Sequence, residues 1–387
     1  CYSVYVTFYK FESAKAANLG GIILFTQISL QLLRGMVQKD PGTITGTIAY
    51  VLGIVMNWIY NAIYFLFGEN NSLGLAIILF TLVVRIIMTP LAYKQQQSTF
   101  LMKKIQPEIN KLQEKYPNSQ TDPEVQKKIA AETQKIYAKY NFNPFSGCLP
   151  LLIQLPIFFA LYYIMQNAFL YINHIQDVYT QIANIVIDNS TQSFLDSTLI
   201  PIALTKVPES LYSTFDVTHV SDLCKLLNKI SVDQWQQIVG ALPQAAAAQI
   251  EPLYASQSSI ETFLGLRVTE IVGFDFSSAR SAVKLIIPLL SGFTTWLSSY
   301  FMTRHNSVSN ESMQQQQRIM NIIMPIMMAY ITVQLPVGVG IYWIVGNLFM
   351  MAQQYLLNKY FEKLEEKESI LTISENKAKS KAKNKKK

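Results

Sequence analysis

The sequence predicts an all-α integral membrane protein with a five-span core bundle, a cytoplasmic helical hairpin and an outer soluble insert. Half of the 387 residues are hydrophobic and only 15% are charged, a balance too apolar for an ordinary soluble protein of this size. Several apolar stretches approach the roughly 20 residues that cross about 30 Å of hydrocarbon. Lysine-rich segments and one long acidic segment alternate between these stretches, which gives the bundle an orientation.

The first segment, residues 1–43, is interpreted as a signal-like or anchor-like region. Residue 1 is Cys rather than Met, so the chain is processed, truncated or incomplete at its start, and a lipid-modified Cys1 would explain this. Residues 16–33 are apolar but contain Gln and Ser. They fit a signal remnant, an anchor or another span, and these three alternatives stay open.

The next segment, residues 44–72, is predicted to form an amphipathic helix lying along the outer interface. A polar stripe at helical spacing lies opposite an apolar one, and Trp58 suits the depth of the headgroups. A true membrane crossing is the alternative. The polar stripe consists of Asn57, Tyr60, Asn61 and Tyr64, and the apolar stripe of Ile59, Ile63 and Leu66.

The core is predicted to contain five spans. No charge occurs between Arg318 and Lys359, and these 40 residues would be roughly 60 Å long as one helix. That length is about twice the bilayer core, so the stretch must fold back. Pro336 and Gly338 mark the turn, because Pro and Gly end helices. The predicted spans are 73–93, 149–171, 284–303, 319–334 and 339–357.

Lys and Arg in the connections set the orientation, because cytoplasmic loops carry the excess of positive charge. The basic connections are 94–141, the loop 304–318 and the tail 358–387, and all three fall on one side of a five-span bundle. They are therefore predicted to be cytoplasmic. The acidic segment 172–283 then lies outside the membrane.

Three of these connecting segments differ in their predicted structure. Residues 94–141 form a helical hairpin, because two charged helices with apolar residues three or four apart flank a Pro-rich break near residue 120. Residues 172–283 form a small soluble insert of short helices, interpreted as a spacer or docking domain. The tail from Lys377 is low in complexity and is predicted to be disordered.

Arg85 is the one charge well inside a predicted span. A guanidinium facing lipid at mid-membrane costs about 2.5 to 3.5 kcal/mol, so we expect Arg85 to face protein or water, unless its side chain snorkels to the cytoplasmic interface. No Asp or Glu lies in the five predicted spans, so the spans offer Arg85 no ion pair. Uncharged polar groups remain, namely Thr81 one turn away, Gln154, Asn321 and Asn347.

This composition predicts a wet, positively charged cavity that opens to the cytoplasm and holds an unfolded polar segment. The alternative for each uncharged residue is an ordinary interhelical hydrogen bond worth about 0.6 kcal/mol. The basic tail, which ends in Lys385, Lys386 and Lys387, would attract ribosomal RNA or anionic lipid, or serve as a solvated tail that aids topology.

The sequence offers no signal of catalysis. Cys1, Cys148 and Cys224 match neither a metal spacing nor an even-numbered disulfide framework. No catalytic constellation, nucleotide motif or metal cluster stands out. We therefore expect a protein that is not an enzyme, with no catalytic residue, no metal and no cofactor.

Several separate motifs occur in the order and spacing of one known family. They are Gly74 to Leu79 with Thr81, Arg85 and Pro90; Gln106-Pro107-Glu108; Asn143 to Pro150 with Gln154 and Pro156; and Tyr342-Trp343, Asn347 and Gln353-Gln354. In these residues the chain resembles the YidC/Oxa/Alb membrane insertases over about 55–170 and 284–357. It looks more like a Gram-positive bacterial form, but 172–283 is much longer than the family's usual outer connection.

The resemblance implies an insertase or chaperone of a bacterial cell membrane that inserts and folds nascent membrane proteins, alone or with the Sec translocon, and takes no small-molecule substrate. Arg85 would help to receive the substrate in an intramembrane groove. The other groove residues would be Thr81, Gln154, Tyr342, Trp343 and Asn347. The hairpin and tail would engage the ribosome, the Sec translocon, targeting factors and membrane lipids. The basic residues for these contacts would be Lys103, Lys104, Lys127, Lys128, Lys385, Lys386 and Lys387.

Two other function classes are weighed against this one. A secondary transporter or channel would use Arg85 to bind an anionic solute near the midplane, but five spans with no obvious repeat and no membrane carboxylate argue against it. A structural scaffold would dock other membrane proteins through 172–283. Deleting that insert would remove all function of a scaffold, whereas an insertase core would keep its activity.

Overall fold

The computed structural model describes residues 43–116, 123–143, 149–206, 215–230, 232–274, 279–304 and 319–384. The predictions for residues 1–42, for the loop 305–318 and for the last three lysines lie outside these residues. Within them the chain is helical apart from one short β-hairpin, in agreement with the predicted all-α class.

The helices carry the following labels in chain order. They are α1 (Thr43–Phe67), α2 (Ser72–Ile87), α3 (Thr89–Glu114), α4 (Pro123–Lys139), α5 (Leu149–Gln166), α6 (Ala168–Tyr171), α7 (Asn173–Asp188), α8 (Gln192–Phe194), α9 (Ile200–Lys206), α10 (Val220–Leu227), α11 (Val232–Ala241), α12 (Gln244–Glu261), α13 (Ala279–Lys284), α14 (Ile286–Arg304), α15 (Met324–Val333) and α16 (Val337–Asn384). Strand β1 (Thr262–Phe263) pairs antiparallel with β2 (Leu266–Arg267), and π-helical turns at Leu195–Leu199 and Ile319–Ile323 precede α9 and α15.

Two described helical segments are long and apolar enough to cross a membrane, Gly46–Phe67 and Ala282–Met302. Helices α2 and α3 pass the same test together, although their axes differ by 53° at the break between them, and Asn321–Val333 is a shorter apolar helix. The count of five spans, with its boundaries, stays a prediction.

Helix α1 packs against α2 and α5 and reaches the outer ends of both. Asn57 Oδ1 accepts a hydrogen bond from the amide of Asn173 (3.1 Å), just beyond α5 and α6. Ten residues later α1 ends at Phe67, and four residues separate it from α2. Residues Gly46–Phe67 of α1 are long and apolar enough to cross a membrane, so the interfacial position of 44–72 stays a prediction.

Helix α2 lies between α1 and α16, and α16 also packs against α14, which pairs with α15. Three helices approach one another closely at Gly338 in the first turn of α16. A Cβ there would lie 2.9 Å from Ile77 Cδ1 and 3.0 Å from Met165 Sδ. Because real Cβ atoms do not come this close, a glycine lets α2, α5 and α16 meet.

The outer insert has a core of α7, α10 and α12 with a buried polar cluster at its centre. Glu261 is fully buried and accepts hydrogen bonds from Arg267 Nε (2.7 Å), Tyr179 Oη (2.9 Å) and Thr269 Oγ1 (2.9 Å). Gln257 Nε2 donates to Tyr179 Oη (2.7 Å). A buried charge requires such complete pairing, so this cluster fixes how the insert packs.

The insert is fastened to the bundle by backbone pairing. Residues 268 to 273 pair with the turn between α15 and α16, so that the amide of Gly338 donates to the carbonyl of Val268 (2.7 Å) and the amide of Gly273 donates to that of Val333 (2.8 Å). The sequence did not predict this junction, because backbone pairing between distant segments leaves no local pattern.

The segment predicted as a hairpin contains α3 and α4 packed antiparallel. Lys139 Nζ and Tyr140 Oη donate hydrogen bonds to Glu108 Oε1 at 2.8 and 2.5 Å, and Tyr116 Oη donates to Glu132 at 3.4 Å. Glu108 of the Gln-Pro-Glu motif therefore joins α3 to the C-terminal end of α4.

Helix α16 extends well beyond the predicted last span and packs against α3. Gln354 Nε2 donates to Gln96 Oε1 (2.6 Å), and the Phe100 and Phe361 rings stack at 5.4 Å. The predicted disorder from Lys377 was wrong for the described part, because α16 continues through Asn384. Lys and Ala are good helix formers, and extending an existing helix avoids the cost of nucleation.

Candidate functional site

Arg85 lies in the last turn of α2, just before the 53° bend into α3. The backbone carbonyls at a helix C-terminus favour a cation in that turn. Thr89 Oγ1 donates to the Arg85 carbonyl (3.1 Å) and accepts from Gln353 Nε2 (2.9 Å). The bend that ends α2 is thus tied to α16 next to the charge.

The Arg85 guanidinium packs against the backbone of α16 at Gly346. A Cβ at residue 346 would lie 2.6 Å from Arg85 Nη2, closer than real Cβ atoms come to other atoms, and 3.1 Å from Nε. Sequence reasoning missed Gly346, because a glycine carries no chemistry. Its spacing of one helical turn from Tyr342 is the signal that would have found it.

The Arg85 Nε–H group is buried and, among the described residues, has no hydrogen-bond partner. Ion pairs among the described residues include Lys139–Glu108, Lys225–Asp222, Arg267–Glu261 and Lys284–Glu270. None of them involves Arg85. An unpaired buried donor of this kind costs free energy, so the surroundings of Arg85 leave this N–H group unsatisfied.

Tyr342 lies close to Arg85 and is bonded to Gln154. Gln154 Nε2 donates to Tyr342 Oη (2.6 Å), although the residues are 188 positions apart. Tyr342 is fully buried and interacts electrostatically with Arg85. Helices α2, α5 and α16 therefore bring together three of the residues that the sequence named as groove candidates.

Thr81 is fully buried one turn before Arg85 on α2. Its hydroxyl donates to the carbonyl of Ile77 in its own helix (2.7 Å). This arrangement satisfies the hydroxyl within α2, so Thr81 contributes helix packing beside Arg85.

Trp343 and Asn347 lie in a different contact, between α16 and α14. Trp343 Nε1 donates to Thr295 Oγ1 (2.9 Å), and the Asn347 amide lies 2.9 Å from the same hydroxyl. Asn347 is 3% exposed. These side chains form a buried polar junction with α14, separate from the bond between Gln154 and Tyr342.

The candidate basic contacts lie on the α3–α4 hairpin and in the tail. Lys103 and Lys104 are exposed on α3, and Lys127 and Lys128 are exposed on α4. Lys385 to Lys387 lie outside the described residues. Both helices therefore present positive charge to solvent.

The outer insert contains a shallow cavity of about 620 Å³, far in sequence from the residues around Arg85. It is lined by uncharged side chains that include Thr198, Thr205, Gln234 and Gln237. Elsewhere in the insert, burial raises the pKa of the Cys224 thiol to about 11, which makes it unreactive. Within the described ranges no group of three or more His, Cys, Asp or Glu side chains could hold a metal.

Comparison with known proteins gives a consistent result. The family described as "60Kd inner membrane protein" matches residues 62–365. A protein of Enterococcus faecalis named "Membrane protein insertase YidC" is 28% identical over 314 residues, which cover 81% of this chain and 76% of the relative. A protein of Clostridium perfringens with the same name is 30% identical over 294 residues, covering 76% of this chain and 81% of the relative.

Proposed function

This chain belongs to the family of the 60Kd inner membrane protein, and from that membership we propose that it is a bacterial membrane protein insertase. It receives nascent membrane proteins in a groove beside Arg85 and releases them into lipid. The observation that carries the groove is the buried Arg85 Nε–H, which has no partner among the described residues. The bond between Gln154 and Tyr342 forms the wall beside it.

The orientation follows from the basic connections. The α3–α4 hairpin and the C-terminal part of α16 lie in the cytoplasm, and the insert 172–283 lies on the outer side. Arg85 is near the cytoplasmic end of α2. It therefore lies toward the side from which a newly made protein arrives.

The proposed mechanism has two steps, electrostatic attraction of the client and then burial of its apolar segment in lipid. Because a low dielectric strengthens Coulomb attraction, Arg85, which is partly exposed as a residue, draws the acidic outer end of a client into the groove. The client's apolar segment then moves into lipid, and its burial supplies the driving force. No catalytic residue takes part.

The exposed lysines of the hairpin support a docking role. Lys103, Lys104, Lys127 and Lys128 form a positive surface that would attract ribosomal RNA, anionic lipid headgroups or acidic faces of partner proteins. The ribosome, targeting factors and the Sec translocon are the partners proposed for this surface and for the tail.

The experiment compares Arg85→Ala with the wild-type chain for insertion of a single-span client that has an acidic N-terminus. We expect insertion to fall for this client and to fall less for a matched client whose Asp and Glu are changed to Asn and Gln. Arg85→Lys, which keeps the charge, should retain part of the activity. Unchanged insertion of several acidic clients by Arg85→Ala would overturn the mechanism.

A separate measurement tests the rival transporter class. The purified protein in liposomes should show no uptake of anionic solutes while it still inserts the client. Solute uptake that depends on Arg85, without insertion, would favour the transporter.

A further inference from the structure

Several large apolar side chains on the outer side of the molecule are exposed beside the insert. We call them the apolar rim. It consists of Phe65, Leu66 and Phe67 at the end of α1, Leu264 in the β1–β2 turn and Phe274 after the segment paired with α16; their exposed fractions are 88, 68, 63, 81 and 62%. Single exposed apolar residues are common, but these residues are grouped where the insert meets the bundle.

The β1–β2 turn lies level with the outer end of α2. Phe263 packs directly on Gly74 in the first turn of α2, where a Cβ would clash with its ring. The amide of Leu264 donates to Asn71 Oδ1 (3.1 Å), immediately before α2. The tip of this hairpin therefore points along the surface at the depth where the predicted first span leaves the membrane.

Phe274 brings a second part of the insert to the same depth on another side of the bundle. Its ring lies 6.4 Å from that of Tyr330, one turn before α15 ends at Val333. Aromatic side chains are enriched at this level of membrane proteins. The insert thus meets the ends of two predicted spans with exposed apolar side chains.

The backbone at Leu264 makes its exposure more informative. Leu264 has φ +52° and Gly265 has φ +81°, the conformation of a two-residue hairpin turn that Asn-Gly normally occupies. This conformation is sterically unfavourable for a leucine. Because the Leu264 side chain is 81% exposed, packing within the chain offsets little of that unfavourable free energy. An apolar medium around the side chain would supply the missing contacts.

We propose that the outer insert rests on the lipid bilayer, with Leu264 and Phe274 embedded at the boundary between headgroups and acyl chains. Lipid is the occupant because the rim continues the exposed apolar surfaces of the bundle, such as Leu289 and Phe293 on α14. The inference depends on the proposed span orientation, since that orientation places the ends of α2 and α15 at the outer leaflet.

The experiment measures the depth of nitroxide labels in protein reconstituted into liposomes. Cys1 and Cys148 are replaced by Ser, while the buried Cys224 stays, and one cysteine is introduced per variant at 264 or 274. Collision rates are recorded with oxygen, which concentrates in lipid, and with a polar nickel complex, which stays in water. Position 289 on α14, 69% exposed, is the lipid reference.

Position 204 is the water reference. Leu204 is 50% exposed on α9, whose neighbour Thr205 accepts a hydrogen bond from Gln234 within the insert (3.3 Å). Labels at 264 and 274 should collide more with oxygen than with the nickel complex, as at 289 and in contrast to 204. If 289 behaves as lipid-exposed and 264 behaves like 204, the proposal fails while the span assignment stands. If 289 itself is water-exposed, the span assignment fails as well.

A second variant separates lipid contact from contact with a partner protein. Leu264→Asn relieves the backbone strain, so a tip in water would make the variant as stable as the wild type or more stable. In protein-free lipid nanodiscs we expect the midpoint of thermal unfolding to fall. An unchanged or raised midpoint would overturn the proposal and indicate that the tip contacts water or a protein.

Discussion

The Arg85 guanidinium packs against the bare backbone of Gly346. The position of this guanidinium beside α16 therefore requires that residue 346 has no side chain. A Cβ at residue 346 would lie 2.6 Å from Nη2. Because Arg85 Nε is buried and lacks a partner among the described residues, its direction is set by packing. Gly346 is therefore a positioning residue for the proposed function.

Gly346→Ala should displace Arg85 and lower the insertion of clients with acidic ends. Overpacking of this kind typically costs about 1 to 3 kcal/mol, partly offset by the better helix propensity of Ala. The measurement is insertion of the acidic and the neutralised client by equal amounts of membrane-integrated protein. A loss confined to the acidic client is the expected result.

The matched control is Gly240→Ala in α11, where a Cβ meets nothing within 4 Å. That variant should insert both clients as the wild type does. If Gly346→Ala also inserted both clients as the wild type does, the contact between residues 85 and 346 would have no part in receiving clients.

Tyr342→Phe tests the wall beside Arg85. The change removes the oxygen that accepts from Gln154 Nε2, and hydrogen bonds between membrane helices are worth about 0.6 kcal/mol. We expect a small fall in the midpoint of thermal unfolding in detergent and a modest loss of insertion. Tyr355→Phe is the control, because Tyr355 is 65% exposed on the same helix. An equal effect of both changes would show that the bond does not matter.

The residues around Arg85 could be predicted only in part, for physical reasons. Arg85, Gln154 and Tyr342 carry polar groups in apolar spans, which makes them visible in the sequence. Trp343 and Asn347 carry polar groups too, but the 100° step per residue of a helix turns them away from Tyr342 toward α14. Which face of α16 meets which neighbour depends on packing between helices far apart in sequence.

The outer insert shows the same limit. The sequence predicted that the insert consists of short helices, but it did not predict that α12 ends at Glu261 and that β1 begins at Thr262. The turn has Leu264 at a position where this turn type favours Asn, so the local sequence does not predict the turn. Its position is fixed instead by Phe263 on Gly74, a contact between distant segments.

Glu261→Ala should destabilise the insert strongly. The change would leave the Arg267 guanidinium buried without its carboxylate, and breaking a buried pair in this way costs about 3 to 5 kcal/mol. Burial alone would lower the pKa of Arg267, but the adjacent Glu261 carboxylate, together with Tyr179, raises that pKa. Thermal unfolding followed by proteolysis of the insert measures the loss.

Glu251→Ala on the exposed face of α12 is the control for Glu261→Ala and should change little. The same pair of variants bears on the scaffold alternative. If the bundle is the insertase, the Glu261 variant should keep client insertion at temperatures where its insert is already cleaved. Loss of all insertion at those temperatures would favour a function located in the insert.

The α3–α4 hairpin should loosen at low pH through Glu108. Hydrogen bonds from Lys139 and Tyr140 lower the pKa of Glu108. Because the folded pKa lies below the unfolded value of about 4.3, the contact contributes its full stability above that pH. The contribution is lost as the pH falls through the lowered folded pKa. Since this carboxylate is partly exposed, salt will weaken the contact as well.

A pair of spin labels at 103 on α3 and 134 on α4, both exposed, measures this loosening as a distance distribution. The wild-type hairpin should give a narrow distribution at pH 7 and a broad one at a pH below the lowered pKa of Glu108. Glu108→Gln should give a broad distribution at both, because a neutral amide holds Lys139 weakly. Glu114→Gln, an exposed change on the same helix, should follow the wild type. A narrow distribution for Glu108→Gln at pH 7 would mean that apolar packing alone holds the hairpin. The Gln-Pro-Glu motif would then have a role other than joining α3 to α4.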